Sequence, residues 1–396
     1  SLSFKKSSIF CSIYQILRIN LCYFLTFFVR LIKMDKKIIQ KIGIIGDGLT
    51  GKLVAIALFR LGYPIEIVGK KGSKRSASPA SISISNDSFN FLKELKIYEL
   101  EKISNPINTI KLYENNKNYL DPDSMFFNKT KKTPLSYIVL KDQLNKALEQ
   151  NIKILKIKKV YENKFYALNI NTVANDTKSK NINWDYQEDA FTFIIKHEKV
   201  LNNCSRQFFL QDGPLAFLPI SSNETSLVWS LAKNSEVRKL ISVKSNLEKF
   251  LNSSFQMYKD IKINSKIENF PLRFNFLTSN IKPRKIIIGD ISHRIHPIAG
   301  QGWNMTVRDI KHLYDLYKSK KKYGYDYGEL SLLEQYETKV KYNNLIFASS
   351  IDLIRRLFKF KNKEISNLRK KGFRQLDKFP EIKNEIIKFA DRGLSF

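Results

Sequence analysis

Cysteine is almost absent from the 396-residue chain: only Cys11, Cys22 and Cys204 occur, and no two form a CxxC pair. Neither a disulfide framework nor a zinc knuckle is therefore encoded, no metal is expected, and a reducing cytoplasm suits the composition. Acidic residues are also scarce, 37 against 68 Lys and Arg, which leaves a formal charge of +31. Such a charge attracts phosphates. The lysines are nevertheless scattered through Asn- and Ile-rich text without a helix-turn-helix, zinc-finger or RNP signature, so no nucleic-acid partner is expected. Long apolar runs are missing as well. Between Ser7 and Ile32, Arg18 and Arg30 leave only Ile19–Val29 uninterrupted, about half of what a spanning helix needs. Residues 1–33 read as upstream in-frame translation before a functional start at Met34, with a short interfacial anchor as the alternative.

Apolar residues make up 43% of the chain and aromatics 12%, enough to bury a core that offsets chain entropy. Ile42–Gly46 is a short apolar run that enters a Gly-rich turn. Leu53–Leu61 has the apolar content of a buried helix, and Ile65–Val68 is a second strand-like run. Strand, turn, helix and strand in this order form the opening βαβ unit of a nucleotide-binding fold. Short strand-like pieces fill Asn108–Phe127, and Lys141–Gln150 reads as a helix with Leu144, Ala147 and Leu148 on one face. Alternating segments from Phe191 to Trp229 predict an antiparallel sheet. Ile286–Gly289 is again a buried-strand pattern, followed by a glycine-rich loop, a helix from about Asn304, and helical text to the C-terminus. The first domain is thus completed late in the chain.

Gly46-Asp47-Gly48-Leu49-Thr50-Gly51 is a GxGxxG between strand and helix, where glycines let the backbone approach a pyrophosphate and the helix N-terminus faces the anion. The motif alone does not separate FAD from NAD. The acid that normally ends the second strand and binds the ribose is missing, because that strand ends Ile67-Val68-Gly69-Lys70. A second motif runs from Gly289 and Asp290 through His293, His296 and Pro297 to Gly300-Gln301-Gly302-Trp303-Asn304 and Asp309. The two histidines have no carboxylate or cysteine at metal-ligand spacing and read as hydrogen-bonded parts of the loop.

This second motif resembles the fingerprint of the flavoprotein aromatic hydroxylases, a GD followed by HPxxGQGxNxGxxD, with Thr306 in place of the last glycine. Gly213-Pro214-Leu215-Ala216-Phe217-Leu218-Pro219 is similar to the GPLALLP segment of the ubiquinone-biosynthesis members, and the resemblance spans Lys41 to Leu316. It implies an α/β fold: a Rossmann-like FAD-binding domain with an inserted, mainly antiparallel β substrate domain and a helical C-terminus. The FAD-binding parts are expected at 34–107, 136–180 and 281–325, the substrate domain at 108–135 and 181–280, and the helical region at 326–396. The resemblance implies that Gly46, Gly48 and Gly51, with Leu49 and Thr50 between them, cradle the FAD diphosphate. Asp290, delivered by Gly289, binds the ribityl chain. Pro297, Gly300, Gln301, Gly302, Trp303 and Asn304 lie along the isoalloxazine, with Pro297 as the candidate catalytic position. The family's third motif, an Asp-Gly, aligns with Asp176, but Thr177 replaces the glycine.

The activity so implied is NAD(P)H- and O2-dependent hydroxylation of a polyprenylated phenol through a C4a-hydroperoxyflavin. Hydroxylation of a soluble phenol, or a flavin-binding scaffold role among other ubiquinone-synthesis proteins, is the alternative. A prenylated substrate together with the basic charge implies peripheral attachment to the anionic inner face of the membrane. Lys359, Lys361, Lys363, Arg369, Lys370 and Lys371 are the candidate contacts.

Overall fold

The computed structural model describes residues 40–70, 78–114, 125–128, 133–162, 164–173, 180–359, 364, 371–372, 375–376 and 378–393. Asp176 with its neighbours, residues 1–33, Met34, Lys361, Lys363, Arg369 and Lys370 lie outside them.

The chain opens with β1 (Ile42–Ile45), α1 (Leu49–Arg60), β2 (Ile65–Val68), β3 (Ser81–Ser85), α2 (Asn86–Glu94) and β4 (Ser104–Ile107). Next come β5 (Thr109–Glu114), β6 (Met125–Asn128), β7 (Ser136–Leu140), α3 (Lys141–Ile154), β8 (Lys158–Val160) and β9 (Leu168–Asn171). The middle holds β10 (Asn181–Lys196), β11 (Cys204–Leu210), β12 (Gly213–Pro219), β13 (Glu224–Ala232), α4 (Arg238–Ile241), α5 (Lys244–Ser254), β14 (Lys262–Ile263) and β15 (Glu268–Leu277). The chain closes with β16 (Ile281–Lys282), β17 (Lys285–Ile287), β18 (His293–Arg294), α6 (Gly302–Lys320), α7 (Leu330–Lys359) and α8 (Pro380–Arg392).

A six-stranded sheet of order β16-β17-β9-β1-β2-β8 forms the first layer, parallel except for the β16–β17 hairpin. The central strands β1 and β2 are largely buried, as strands of a parallel sheet are. α1 is buried without interruption from Gly51 to Leu58, since α3 and α6 pack on it as well as the sheet; Leu53–Leu58 is apolar all round, as a helix in a core is, and the buried Lys52 is paired with Glu149. The helix begins at Leu49, four residues earlier than the apolar pattern predicts. The first turn is made by the glycine motif and shows no apolar periodicity.

A second sheet of order β18-β15-β10-β13-β12-β11-β5-β6, with β14 on β10, is antiparallel except for the β5–β11 pair. One face packs aromatic residues such as Phe193, Phe208, Phe217 and Trp229 against Leu247 and Leu251 of α5. The opposite face presents Tyr186, Ala190, Phe274 and Phe276 to Ile295, to Met305 of α6 and to Phe347 of α7. A small antiparallel sheet, β3-β7-β4, completes the fold. Among the described residues, no helix is long and apolar enough to cross a membrane.

Candidate active site

β1 delivers the chain into Gly46, whose φ of +114° favours glycine. A Cβ on Gly46 would stand 2.5 Å from Thr172 Oγ1, and one on Gly51 would stand 1.9 Å from the Gly46 carbonyl oxygen. Only backbone fits there. Gly48 caps α1 without a side-chain bond, and the first turn holds no acid, so the amides around Leu49, Thr50 and Gly51 are presented to an anion.

β17 brings in the second motif. Gly289 turns with φ +94°, and a Cβ there would lie 3.1 Å from Thr50 Cγ2 and Oγ1. Two segments widely separated in sequence thus meet at the first turn of α1. Asp290 is exposed beside this contact, while the amides of Ser292 and His293 both donate to the Gly289 carbonyl, at 2.8 and 3.1 Å.

The chain then crosses to the second sheet. His293 Nε2 donates to Asp309 Oδ2 at 2.6 Å, and Asp309 Oδ1 accepts from Asn344 Nδ2 at 2.7 Å. His296 Nδ1 accepts the Ile298 amide at 3.3 Å, so its proton resides on Nε2, which donates to Glu188 Oε2 at 2.9 Å. Burial pushes the His296 pKa down. Burial alone would raise the Glu188 carboxyl, but hydrogen bonds from His296 and Arg355 outweigh it and hold the pKa at about 2. The histidines are hydrogen-bonded parts of the loop as expected. Their carboxylate partners come from α6 and from β10, beyond the reach of local spacing.

Between these anchors Pro297 is half-buried and leads into a 3₁₀ turn, Ile298–Gly300. Gly300 has φ +61°, and a Cβ there would come within 3.0 Å of Ser83 Cβ. Gln301 caps α6 without a side-chain bond, and the first turn of that helix is free of acids. A Cβ on Gly302 would meet nothing within 4 Å. Trp303 is half-buried, and its Nε1 has no partner. Asn304 is fully buried. Its Oδ1 accepts the Ser85 amide at 2.9 Å and its Nδ2 donates to the Ser83 carbonyl at 3.0 Å, which commits the amide to fixing the turn against β3.

These residues fit FAD. Two uncapped helix N-termini and glycine positions that a Cβ would fill make a backbone cradle for a diphosphate and a flat ring. Beyond β10 lies an open cleft of about 530 Å³, lined by Trp184, Asp185, Tyr186, Arg355, Arg356 and Lys359. Lys371 is exposed.

Residues 153–340 match the FAD binding domain family. Among solved structures, p-nitrophenol 4-monooxygenase PnpA from Pseudomonas putida DLL-E4 superposes with a TM-score of 0.70 at 12% identity, covering 90% of this chain and 100% of that one. A tetrameric 2-methyl-3-hydroxypyridine-5-carboxylic acid oxygenase gives a TM-score of 0.63 at 16% identity, covering 81% and 93%. The fold is therefore the one these two oxygenases share: a Rossmann-like layer, an inserted β sheet and a helical C-terminus.

Over residues 153–340 the chain is similar to FAD binding domains, and in sequence it is similar to monooxygenases of ubiquinone biosynthesis. The human ubiquinone biosynthesis monooxygenase COQ6, mitochondrial, is 29% identical over 251 residues, covering 54% of this chain and 53% of that protein. The 3-demethoxyubiquinol 3-hydroxylase of Escherichia coli (strain K12) is 26% identical over 211 residues, covering 52% and 53%. The chain spans about half the length of the curated relatives it matches.

Proposed function

We propose that the protein is an FAD-dependent monooxygenase that uses NAD(P)H and O2 to hydroxylate the ring of a polyprenylated phenol in ubiquinone biosynthesis. The observation that carries this reading is the close approach of Gly289 to Thr50, which joins the diphosphate turn to the Asp290 segment. On binding, FAD supplies storage of reducing equivalents from NAD(P)H and activation of dioxygen. The protein's own work is positional. Gly46, Gly48, Leu49, Thr50 and Gly51 hold the diphosphate, and Asp290 holds the ribityl hydroxyls. Gly300, Gln301, Gly302 and Trp303 border the ring, braced by Asn304. His296 fixes the turn that presents Pro297 to the substrate side. On the sheet face turned towards Ile295, Ala190, Thr192, Ala216 and Val228 stand in neighbouring register, and such small side chains suit a flat ring.

A prenylated phenol resides in a bilayer. The outward side of α7 exposes Tyr342, Leu345, Ile346, Leu353 and Leu357. From Lys339 to Lys359 the sole acid of that helix, Asp352, is buried. An apolar stripe on a helix segment whose exposed charges are cations suits an anionic lipid surface, with Lys359 and Lys371 as candidate contacts.

The test is the visible spectrum of the purified protein and its bleaching by NADH or NADPH, with and without a short-chain prenylated phenol. Flavin absorbance together with faster bleaching in the presence of the phenol is expected. A colourless protein that also rejects added FAD refutes the reading. Bleaching stimulated by simple soluble phenols but not by the prenylated one would move the substrate class to soluble phenols.

A further inference from the structure

We propose that Asp47, inside the first glycine turn, is the carboxylate that binds the adenosine ribose of the dinucleotide, in place of the acid that ordinarily ends the second strand. The inference rests on the FAD reading above. In a βαβ dinucleotide fold an Asp or Glu about 20 residues beyond the glycine turn, at the carboxyl end of β2, accepts hydrogen bonds from the ribose. Here β2 ends at Val68 and is followed by Gly69 and Lys70. The Gly69 amide donates to the Val160 carbonyl at 2.9 Å, so the position is ordered as a continuation of the β2–β8 pair, but it carries no side chain.

The acid within β2, Glu66, cannot substitute. It is buried opposite Gly43, two residues short of the strand's end, and accepts from Lys41 Nζ at 2.8 Å and from Tyr166 Oη at 3.1 Å.

What stands at the end of β2 is Asp47. The Gly46 amide donates to the Val68 carbonyl at 2.9 Å, which pins the backbone before residue 47 onto the last residue of β2. A Cβ built on Gly69 would lie 3.5, 3.6 and 3.7 Å from Oδ2, Cγ and Cβ of Asp47. The Asp47 side chain therefore runs beside the point from which a residue-69 side chain would start. The chain departs from the usual pattern twice, with an acid inside the glycine turn and a glycine after β2. The two departures touch. Gly69 leaves the space, and Asp47, half-buried, fills it with a carboxylate, a group that accepts hydrogen bonds from hydroxyls such as those of a ribose.

The experiment uses the full chain stripped of flavin and titrated, by flavin fluorescence, with FAD and with the FAD analogue whose adenosine is 2′-deoxy. Wild type is expected to prefer FAD by about 10- to 100-fold, the size of one hydrogen bond to a charged group. Asp47→Ala is expected to weaken FAD binding and erase the preference, with the isosteric Asp47→Asn as the variant of choice should alanine disturb the turn. Asp47→Ala combined with Gly69→Glu returns a carboxylate to the usual position and is expected to regain part of the preference. Undiminished discrimination in Asp47→Ala or Asp47→Asn, or a wild type that binds both flavins equally, would overturn the assignment. A wild type that binds neither flavin would instead overturn the FAD reading beneath it.

Discussion

Replacing Glu188 by glutamine should destabilise the protein by about 3 kcal/mol at neutral pH, with a gap that narrows on acidification. Glu188 and Arg355 form an ion pair in which the side chains are 10% and 11% exposed, and Glu188 also accepts from His296. Glutamine keeps the size but leaves the guanidinium without a counter-charge, and breaking one side of a buried pair costs about 3–5 kcal/mol. Lys359, 3.4 Å away, is 60% exposed and can turn to water, so it adds little. Linkage gives a similar figure: a carboxyl held at about 2 instead of 4.5 contributes about 3 kcal/mol. Because the folded pKa is depressed, that contribution is complete above pH 4.5 and is lost as pH falls towards 2. His296, also depressed by burial from 6.5, disfavours the folded state progressively as pH drops below 6.5. Urea unfolding followed by circular dichroism at pH 7.5, 5.5 and 4 measures both effects. The wild-type advantage should shrink by about 1 kcal/mol between pH 7.5 and 4. Arg355→Met added to the glutamine variant should restore part of the loss, since the stranded charge is gone. A gap below about 1 kcal/mol at pH 7.5, or one that widens in acid, would show that Glu188 is not the buried counter-charge described.

Gly51→Ala drives a methyl to 1.9 Å from the Gly46 carbonyl oxygen, whereas Gly302→Ala meets nothing within 4 Å. The first should abolish flavin retention and lower thermal stability, and the second should leave the melting temperature of flavin-free protein unchanged. Asn304→Ala removes the partners of the Ser85 amide and Ser83 carbonyl and should cost about 2–4 kcal/mol in denaturant unfolding, because buried backbone groups lose their bonds. Asp290→Ala should weaken FAD binding by about 10- to 100-fold, read by fluorescence titration, with unfolding of the flavin-free protein unaltered because the residue is exposed.

Much of the nucleotide-binding layer was legible because its signals are local. The strand at Ile42, the glycine turn and the strand at Ile65 follow one another with apolar runs of the right length, and the second motif announces its own strand, loop and helix. The pairing of the other sheets was not legible. β5 lies beside β11 in parallel, and β3, β4 and β7 form a separate sheet, arrangements set by contacts between segments far apart in sequence. The 16-residue β10 also begins well before the alternating stretch at Phe191. Its register shift between Asp185 and Asp189 breaks the period-two pattern by which strands are recognised.

The site divides along the same line. Glycines announce themselves because backbone geometry requires them, and Gly46, Gly51, Gly289 and Gly300 all stand where a side chain would collide with a neighbour within 3.1 Å. The groups that orient the loop do not, since hydrogen-bond partners have no sequence period. His296 is held by a carboxylate 108 residues away, and that carboxylate owes its place to the irregularity in β10, where Gln187 adopts φ +57° immediately before it. A positive φ at a non-glycine residue is unfavourable and persists only where the surroundings hold it. Here the next residue is buried and bonded from two sides, by His296 and Arg355. The strained residue, the buried carboxylate and the protonated Nε2 therefore form one mechanical unit, in which the second sheet fixes the turn that carries Pro297. Relaxing Gln187 to the extended conformation would turn Glu188 away from His296 and release that turn.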